Sequence, residues 1–406
     1  MTIDTIRQDF PLLQKKANDQ LVYFDSAATA LKPLQVINAM NEYYFDYPAN
    51  PGRGEYDLVH RAATAVEASR AKVAKFLSAK PEEIVFTSGT TMGINLVADA
   101  FVRKHLQRGD EIIIAESEHA ANVLPWYSLQ ERYGIVVKIV SLDMNQRLTV
   151  DILKHHVSLK TKFLAFSDVS NVLGTKTDSK SIVSFAHQHG LYVLIDAAQS
   201  APHFPIDVVE LDVDFLVFSG HKMCGPTGIG VLYAKYDLLE KMDPYLMGGG
   251  MSLKYAKDFS IRFAPIPHRF EAGTQPVAEI IGLGAAIDYL TSIGFDFIHQ
   301  QEMVLRNRAI KGLQAIPFVK IYNPNAEAGI ITFNLEGVFS QDAATHYNAH
   351  HIAIRSGQHC VRNLIDYLQT DGTLRWSCYF YNTEVEVDAF IEATKKGMDF
   401  LDAFFR

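Results

Sequence analysis

Asp196 closes the apolar run LYVLI, and Lys222 follows 26 residues later at the end of the next such run, in SGHKMCG. A strand-end carboxylate beside a strand-end lysine is what a pyridoxal phosphate site needs. The carboxylate keeps the pyridine nitrogen protonated and the lysine holds the aldehyde as a Schiff base. Taken singly, the acid could cap a loop and the lysine could be a solvated charge. His221 and Cys224, three apart, also resemble a fragment of a metal site, but no further cysteine pair completes a ligand set. No metal is expected.

A phosphate cup is the next requirement. SGTTMG (88–93) offers a glycine turn, the hydroxyls of Thr90 and Thr91, and free backbone N–H groups at a helix start. Such a motif alone is weak, since Ser, Thr and Gly begin many helices. Ser219 and His221 can complete the cup from the lysine loop, and the flat ring of His119 suits a stacking position over the cofactor.

These residues must be held by strands. LVYFD (21–25), EIVFTSG (83–89), EIIIAESEH (111–119), KFLAFSD (162–168), LYVLIDAAQ (191–199), FLVFSGHK (215–222) and GIGVLYAK (228–235) all read as strands. Their nearly continuous apolar centres suit strands buried on both faces, with helices such as TTMGINLVADAFVRKHL and DSKSIVSFAHQHG between them. The expected fold is α/β with a mostly parallel sheet, and ligands bind beyond the carboxyl ends of such strands. Further on, PVAEIIGLGAAIDYLTSIG (276–294) reads as a long helix, while GIITFNLEG (329–337) and HIAIR (351–355) read as strands of a smaller domain. Thr383 and Glu386 form a capping box that opens an amphipathic helix through about Phe404. The segment before Leu21 is expected to pack with this smaller domain.

The 406 residues exceed one core of ordinary size and suggest two domains, and 48% hydrophobic residues suffice to fill them. A net charge of −8 gives no basic field for nucleic acid. The apolar runs fall far short of the roughly 20 residues that span a bilayer, so no membrane partner is expected. Three cysteines form no disulfide framework, and the start has no secretory pattern, so a cytoplasmic protein is expected.

The blocks TSGTTMGINLVA, ESEHAANVLPW, SNVLGT, LIDAAQ, FSGHKMCGPTGIG, RFEAGTQP, RSGQHC and YNTEVEVD, in this order, are highly specific together. Through them nearly the whole chain resembles the pyridoxal phosphate-dependent cysteine desulfurases of the SufS/CsdA group, within the class V aminotransferase superfamily. The resemblance implies a fold type I transferase. Its large cofactor domain would span 21–290, with a seven-stranded, mostly parallel sheet. A smaller α+β domain from 1–20 and 291–406 would carry the thiol loop. Lys222 would be the Schiff-base lysine, Asp196 the partner of the ring nitrogen and His119 the stacking ring. Asn171 and Gln199 would lie near the phenolic oxygen. Thr90, Thr91, Ser219 and His221 would hold the phosphate. Thr274 would reach the phosphate of a second subunit, implying a homodimer with shared active sites. Arg375 would clamp the substrate carboxylate, with Arg355 at the mouth and Asn171 nearby. Cys360 would be the nucleophile that takes sulfur from L-cysteine, leaving L-alanine. A SufE- or SufU-like acceptor and a place in iron–sulfur cluster assembly are implied with it.

A lone cysteine is more often a packed hydrophobe than a nucleophile. RSGQHCVRN around Cys360 is polar, however, with Arg355, His359 and Arg362 placed to favour a thiolate. Cys224 and Cys378 read as packing residues. The pattern departs from the family at Ala120, where a second histidine is usual, at Gln358, and over NPGRGEYDLVHRA (50–62). There Arg53 and Gly54 match an arginine–glycine pair, while Gly52 replaces a histidine. Selenocysteine lysis, or another reaction of the class on a different amino acid, stays open on the sequence. A catalytically silent scaffold would be expected to lack Lys222 or Asp196.

Overall fold

The computed structural model describes residues 2–15, 20–52 and 54–398. Arg53 and the stretch from 399 onward lie outside the described residues; the helix expected to run through about Phe404 ends earlier, at Lys395, with Lys396 as its C-cap.

Seven strands form the central sheet: β1 (Ile84–Thr87), β2 (Glu111–Ala115), β3 (Val136–Val140), β4 (Thr161–Ser167), β5 (Tyr192–Asp196), β6 (Phe215–Ser219) and β7 (Gly230–Ala234). Their order is β1-β7-β6-β5-β4-β2-β3, with β7 antiparallel to both neighbours and every other pairing parallel. Ile112, Ile113 and Ile114 are fully buried in β2, as are Val193 and Leu194 in β5. Each such side chain contributes about 1.5–3 kcal/mol on leaving water, which is why these runs read as continuous rather than alternating.

The sheet differs from the sequence expectation at both ends. β3 was not anticipated: it pairs only with β2, and of its five residues only Val140 is buried. LVYFD, in contrast, contributes no strand to the central sheet. Its Val22–Tyr23 pairs in parallel with Ile352–Ala353, and Asp25 bridges to Ser377. An apolar run of two or three residues satisfies either partner, so tertiary packing decides.

Helix α1 (Leu34–Asp46) and helix α2 (Asp57–Leu77) pack on α4 (Val277–Ile293), the long helix expected after residue 276. Helix α3 (Thr90–Val97) starts directly beyond β1 and lies against β6 and β7. A Cβ on its Gly93 would stand 2.7 Å from Val217 Cγ1, so only glycine lets this helix lie so close to the sheet.

A four-stranded antiparallel sheet forms the second layer system: β8 (Val319–Ile321), β9 (Ile330–Leu335), β10 (Arg355–Gly357) and β11 (Thr373–Ser377), in the order β8-β9-β11-β10. Helix α5 (Phe295–Gln314) and helix α6 (Glu384–Lys395) cover it, around Trp376, Phe390, Phe333 and Tyr347. Thr383 caps α6: its hydroxyl accepts from Glu386 N, and Glu386 Oε2 accepts from Thr383 N. The N-terminal turn is fastened here, Arg7 donating to Tyr381 O and to Glu386. It also packs on the first layer, with Phe10 against Tyr289 and Asp9 accepting from the Tyr289 hydroxyl. Among the described residues no single helix is long and apolar enough to cross a membrane.

Candidate active site

Strand ends deliver the site. β5 ends in Asp196, with Gln199 one turn on; β6 ends in Ser219, followed by His221 and Lys222; β4 leads to Asn171 and β2 to His119. From the second sheet come Arg355 on β10, Arg375 on β11 and Cys360 on the loop between them. All of these, with Thr90 and Thr91, line one cleft of about 210 Å³. Thr274 does not. It is exposed, and its hydroxyl accepts from Asn50 Nδ2 at 3.3 Å. Asp168, another strand-end carboxylate, also stays out and pairs instead with Lys176 and Ser179.

At the cup, Ser219 Oγ accepts from Thr90 N at 2.9 Å and hydrogen-bonds Thr90 Oγ1 at 2.8 Å. These hydroxyls are therefore set against each other at the first turn of α3, where N–H groups point outward for an anion. His221 beside them is held neutral: burial first, then the Lys222 and Lys32 charges, pull its pKa down to about 4.

The floor is a buried carboxylate and a buried amine. Burial raises the Asp196 pKa, against a hydrogen bond from Ala198 N at 2.9 Å and the Lys222 charge. No ion pair reaches Asp196 among the described residues. Burial also lowers Lys222 to about 8, although Asp196 pulls the other way. His119 accepts from Ala121 N at Nδ1, so its proton sits on Nε2. Burial and then Lys222 hold that ring neutral by taking its pKa to about 4.

On the substrate side, Arg375 is 3% exposed and donates to Asn171 O at 3.0 Å and to Asp25 Oδ1 at 3.1 Å. Its Nε is buried and has no partner among the described residues, as is the case for Gln199 Oε1, whose amide nitrogen is spent on Ala27 O. Cys360 is exposed, whereas Cys224 and Cys378 are buried. His359 and Cys360 both take left-handed backbone, at φ 51° and 59°. Asn171 Nδ2 holds the His359 carbonyl at 3.1 Å, and Ala120 N holds that of Cys360 at 2.8 Å.

One expectation fails here. His359 cannot lend a charge to the thiol: it is buried, its Nε2–H is spent on Thr373, and its pKa is pushed down to about 3, chiefly by burial. Arg362 turns to Asp366 instead. Of the three neighbours expected to favour a thiolate, Arg355 and His359 line the cleft, and of these two only the Arg355 guanidinium brings a charge.

Two further residues were not singled out from sequence. Asp25 anchors Arg375, and its signal was the acid ending LVYFD. Glu118, next to His119 in sequence, is buried and accepts from Ser167 N, Ser167 Oγ and Asn122 Nδ2. Its signal was an acid three residues beyond the buried strand β2.

The donor set fits a flat cationic ring that carries a phosphate. An unpaired buried carboxylate demands a positive group, Gln199 Oε1 a donor, and the α3 terminus an anion.

The comparisons with known proteins agree with this chemistry. The aminotransferase class-V family matches residues 22–390. A probable cysteine desulfurase of Synechocystis is 44% identical over 402 residues, 98% of this chain and 96% of that protein. The crystal structure of the cysteine desulfurase CsdA from Escherichia coli superposes with a TM-score of 0.91 at 38% identity, covering 98% of this chain and 99% of that one. The apo cysteine desulfurase of Thermococcus onnurineus gives 0.93 at 37% identity, covering 98% of each chain. This chain belongs to the class-V aminotransferase family, in its cysteine desulfurase branch, with pyridoxal 5′-phosphate as cofactor.

Proposed function

We propose that this protein is a cysteine desulfurase that converts L-cysteine to L-alanine and takes the sulfur onto Cys360 for delivery to an acceptor. The observation that carries this reading is the exposed Cys360 thiol in the same cleft as Lys222 and the buried Asp196. A transaminating or lytic site needs the lysine and the carboxylate but has no use for the thiol.

Lys222 would hold the cofactor covalently and Asp196 would face its ring nitrogen. His119 would cover the ring, Asn171 and Gln199 would flank its oxygen, and Thr90, Thr91, Ser219 and His221 would take its phosphate. When bound, the cofactor supplies a sink for the electrons released at the substrate Cα. Arg375 presents its fork to the substrate carboxylate, with Arg355 beside it. The lysine amine, with its pKa lowered to about 8, exists partly neutral near pH 7 and accepts the Cα proton. The Cys360 thiolate attacks the substrate sulfur. A sulfur–sulfur bond forms, the carbon–sulfur bond breaks and its electron pair stays with the three-carbon fragment; one proton joins Cβ, and the proton held by Lys222 returns to Cα to complete alanine.

The same reading includes a homodimer. It is supported by Thr274 standing exposed outside its own cleft, and by Phe45 and Tyr56, exposed at 81% and 53% near Asn50 in sequence. It also includes division into 21–290 and a second unit of 1–20 with 291–406, and a SufE- or SufU-like acceptor. Exposure of Cys360 favours access by such a partner.

The test is L-cysteine turnover, with alanine and sulfide followed together, for wild type and Cys360→Ala. Alanine formation should collapse in the variant, and the wild-type peptide bearing Cys360 should gain the mass of one sulfur. Unchanged alanine release by Cys360→Ala would overturn the assignment.

A further inference from the structure

We propose that Lys32 is a positioning residue for Lys222, acting through the carbonyl of His221; the inference rests on the role given to Lys222 above. Three donors converge on that one oxygen: Ala30 N at 3.0 Å, Thr29 Oγ1 at 3.1 Å and Lys32 Nζ at 2.9 Å. A carbonyl has two lone pairs, so a third donor exceeds ordinary satisfaction. The peptide they grip is the one joining His221 to Lys222. The preceding carbonyl, of Gly220, accepts from Met223 N and Gly225 N, at 3.0 Å each. Two successive carbonyls before Lys222 are thus fixed, one of them by a side chain 189 positions earlier in the chain.

Lys32 does this as a charge. Its ammonium donates to Thr29 Oγ1, Ala30 O and His221 O, all neutral oxygens, and has no ion-pair partner among the described residues. A half-buried cation without a counter-ion is costly to keep, and burial draws its pKa down to about 8. A neutral donor could fasten the carbonyl without that penalty. The ammonium instead gives a charge-assisted bond and adds a positive field at His221. The charged and titratable groups felt by Lys222 itself are Asp196, Arg375, Arg355 and Cys360, and the group felt by Lys32 is Cys224.

Backbone fixity matters for what Lys222 must do. It releases a covalent partner, carries a proton and returns to the same atom. The four-carbon stem supplies that motion, and the main chain must stay put. A misplacement of about 1 Å can lower the rate on the order of 100-fold.

The experiment compares holoenzymes of wild type, Lys32→Met, Lys32→Arg and Thr29→Val. Lys32→Met should keep KM for L-cysteine within about twofold while kcat falls roughly 10- to 100-fold. Its visible cofactor band should keep the wild-type titration midpoint, because Lys32 is not among the charges felt by Lys222 and acts on it through the backbone. Lys32→Arg should restore kcat, Thr29→Val should lower it by a smaller factor, and neither should move the midpoint. Wild-type kcat or a moved midpoint in Lys32→Met, or equal impairment of Lys32→Met and Lys32→Arg, would overturn the proposal. Should Lys32→Met not fold, an unchanged kcat in Thr29→Val overturns it. Failure of the Lys222 reading looks different: borohydride would then fix no cofactor onto Lys222 in the wild type.

Discussion

Arg355 and Arg375 stand directly opposite each other across the antiparallel pair β10 and β11, and both line the cleft. Like charges in facing positions destabilise a sheet by up to about 1 kcal/mol. Asp25 offsets part of this at 3.1 Å from Arg375, yet Arg375 Nε remains buried with no partner among the described residues. The pair is a standing demand for an anion, and under the proposed function the amino-acid carboxylate would meet it.

Arg375→Lys therefore raises KM for L-cysteine roughly 10- to 100-fold, because lysine cannot offer a planar fork. Initial rates of alanine formation over a range of L-cysteine give the value. A KM equal to that of the wild type would place the carboxylate elsewhere.

The pH dependence of turnover follows from Lys222. Burial holds its ammonium down at about 8, so the neutral, proton-accepting form grows as pH rises towards that value. The rate rises with pH and levels off above about 8. A rate that fell over the same interval would assign the base to another group.

Glu118 gives a stability test with a defined sign. Burial raises its pKa to about 7, outweighing its three donors. The folded carboxyl keeps its proton where the unfolded one has lost it. The stability linked to that proton is complete below the ordinary value near 4.5 and disappears as pH rises through about 7. Glu118→Gln carries no such dependence. The stability of wild type relative to Glu118→Gln should thus fall by on the order of 3 kcal/mol between those limits and stay flat above. Urea unfolding at acid and neutral pH measures it, and any constant cost of the mismatched amide cancels in the slope.

Native alkylation should modify Cys360 alone. Burial lifts the Cys224 thiol to about 12 and the Cys378 thiol well above its ordinary value, and neither side chain is accessible. Peptide mapping after brief iodoacetamide treatment should find one labelled site, and all three cysteines once the chain is unfolded. Native labelling at Cys224 would contradict the packing of the Lys222 loop.

What sequence could show followed from burial. Strands buried on both faces, such as β2 and β5, announce themselves as unbroken apolar runs, and the polar residue that ends each one marks the site. Edge strand β3 is half exposed and carries Lys138, so it lacks that mark. Val22–Tyr23 looked like a member of the same sheet because two residues hold too little pattern to specify a partner. The roles of Asp25, Glu118 and Lys32 were hidden for another reason. Each acts through a residue far away in the chain, and no local spacing encodes a contact across 189 or 350 positions.

Cys360 and His359 occupy consecutive left-handed positions, a conformation that costs side-chain-bearing residues about 1–2 kcal/mol each. Asn171 and Ala120 clamp the carbonyls of this pair like the jaws of a vice. The remaining joint is rotation of Sγ about a single bond. Sulfur carried there can swing but not travel, so whatever collects it must bring its own nucleophile to the mouth of the cleft.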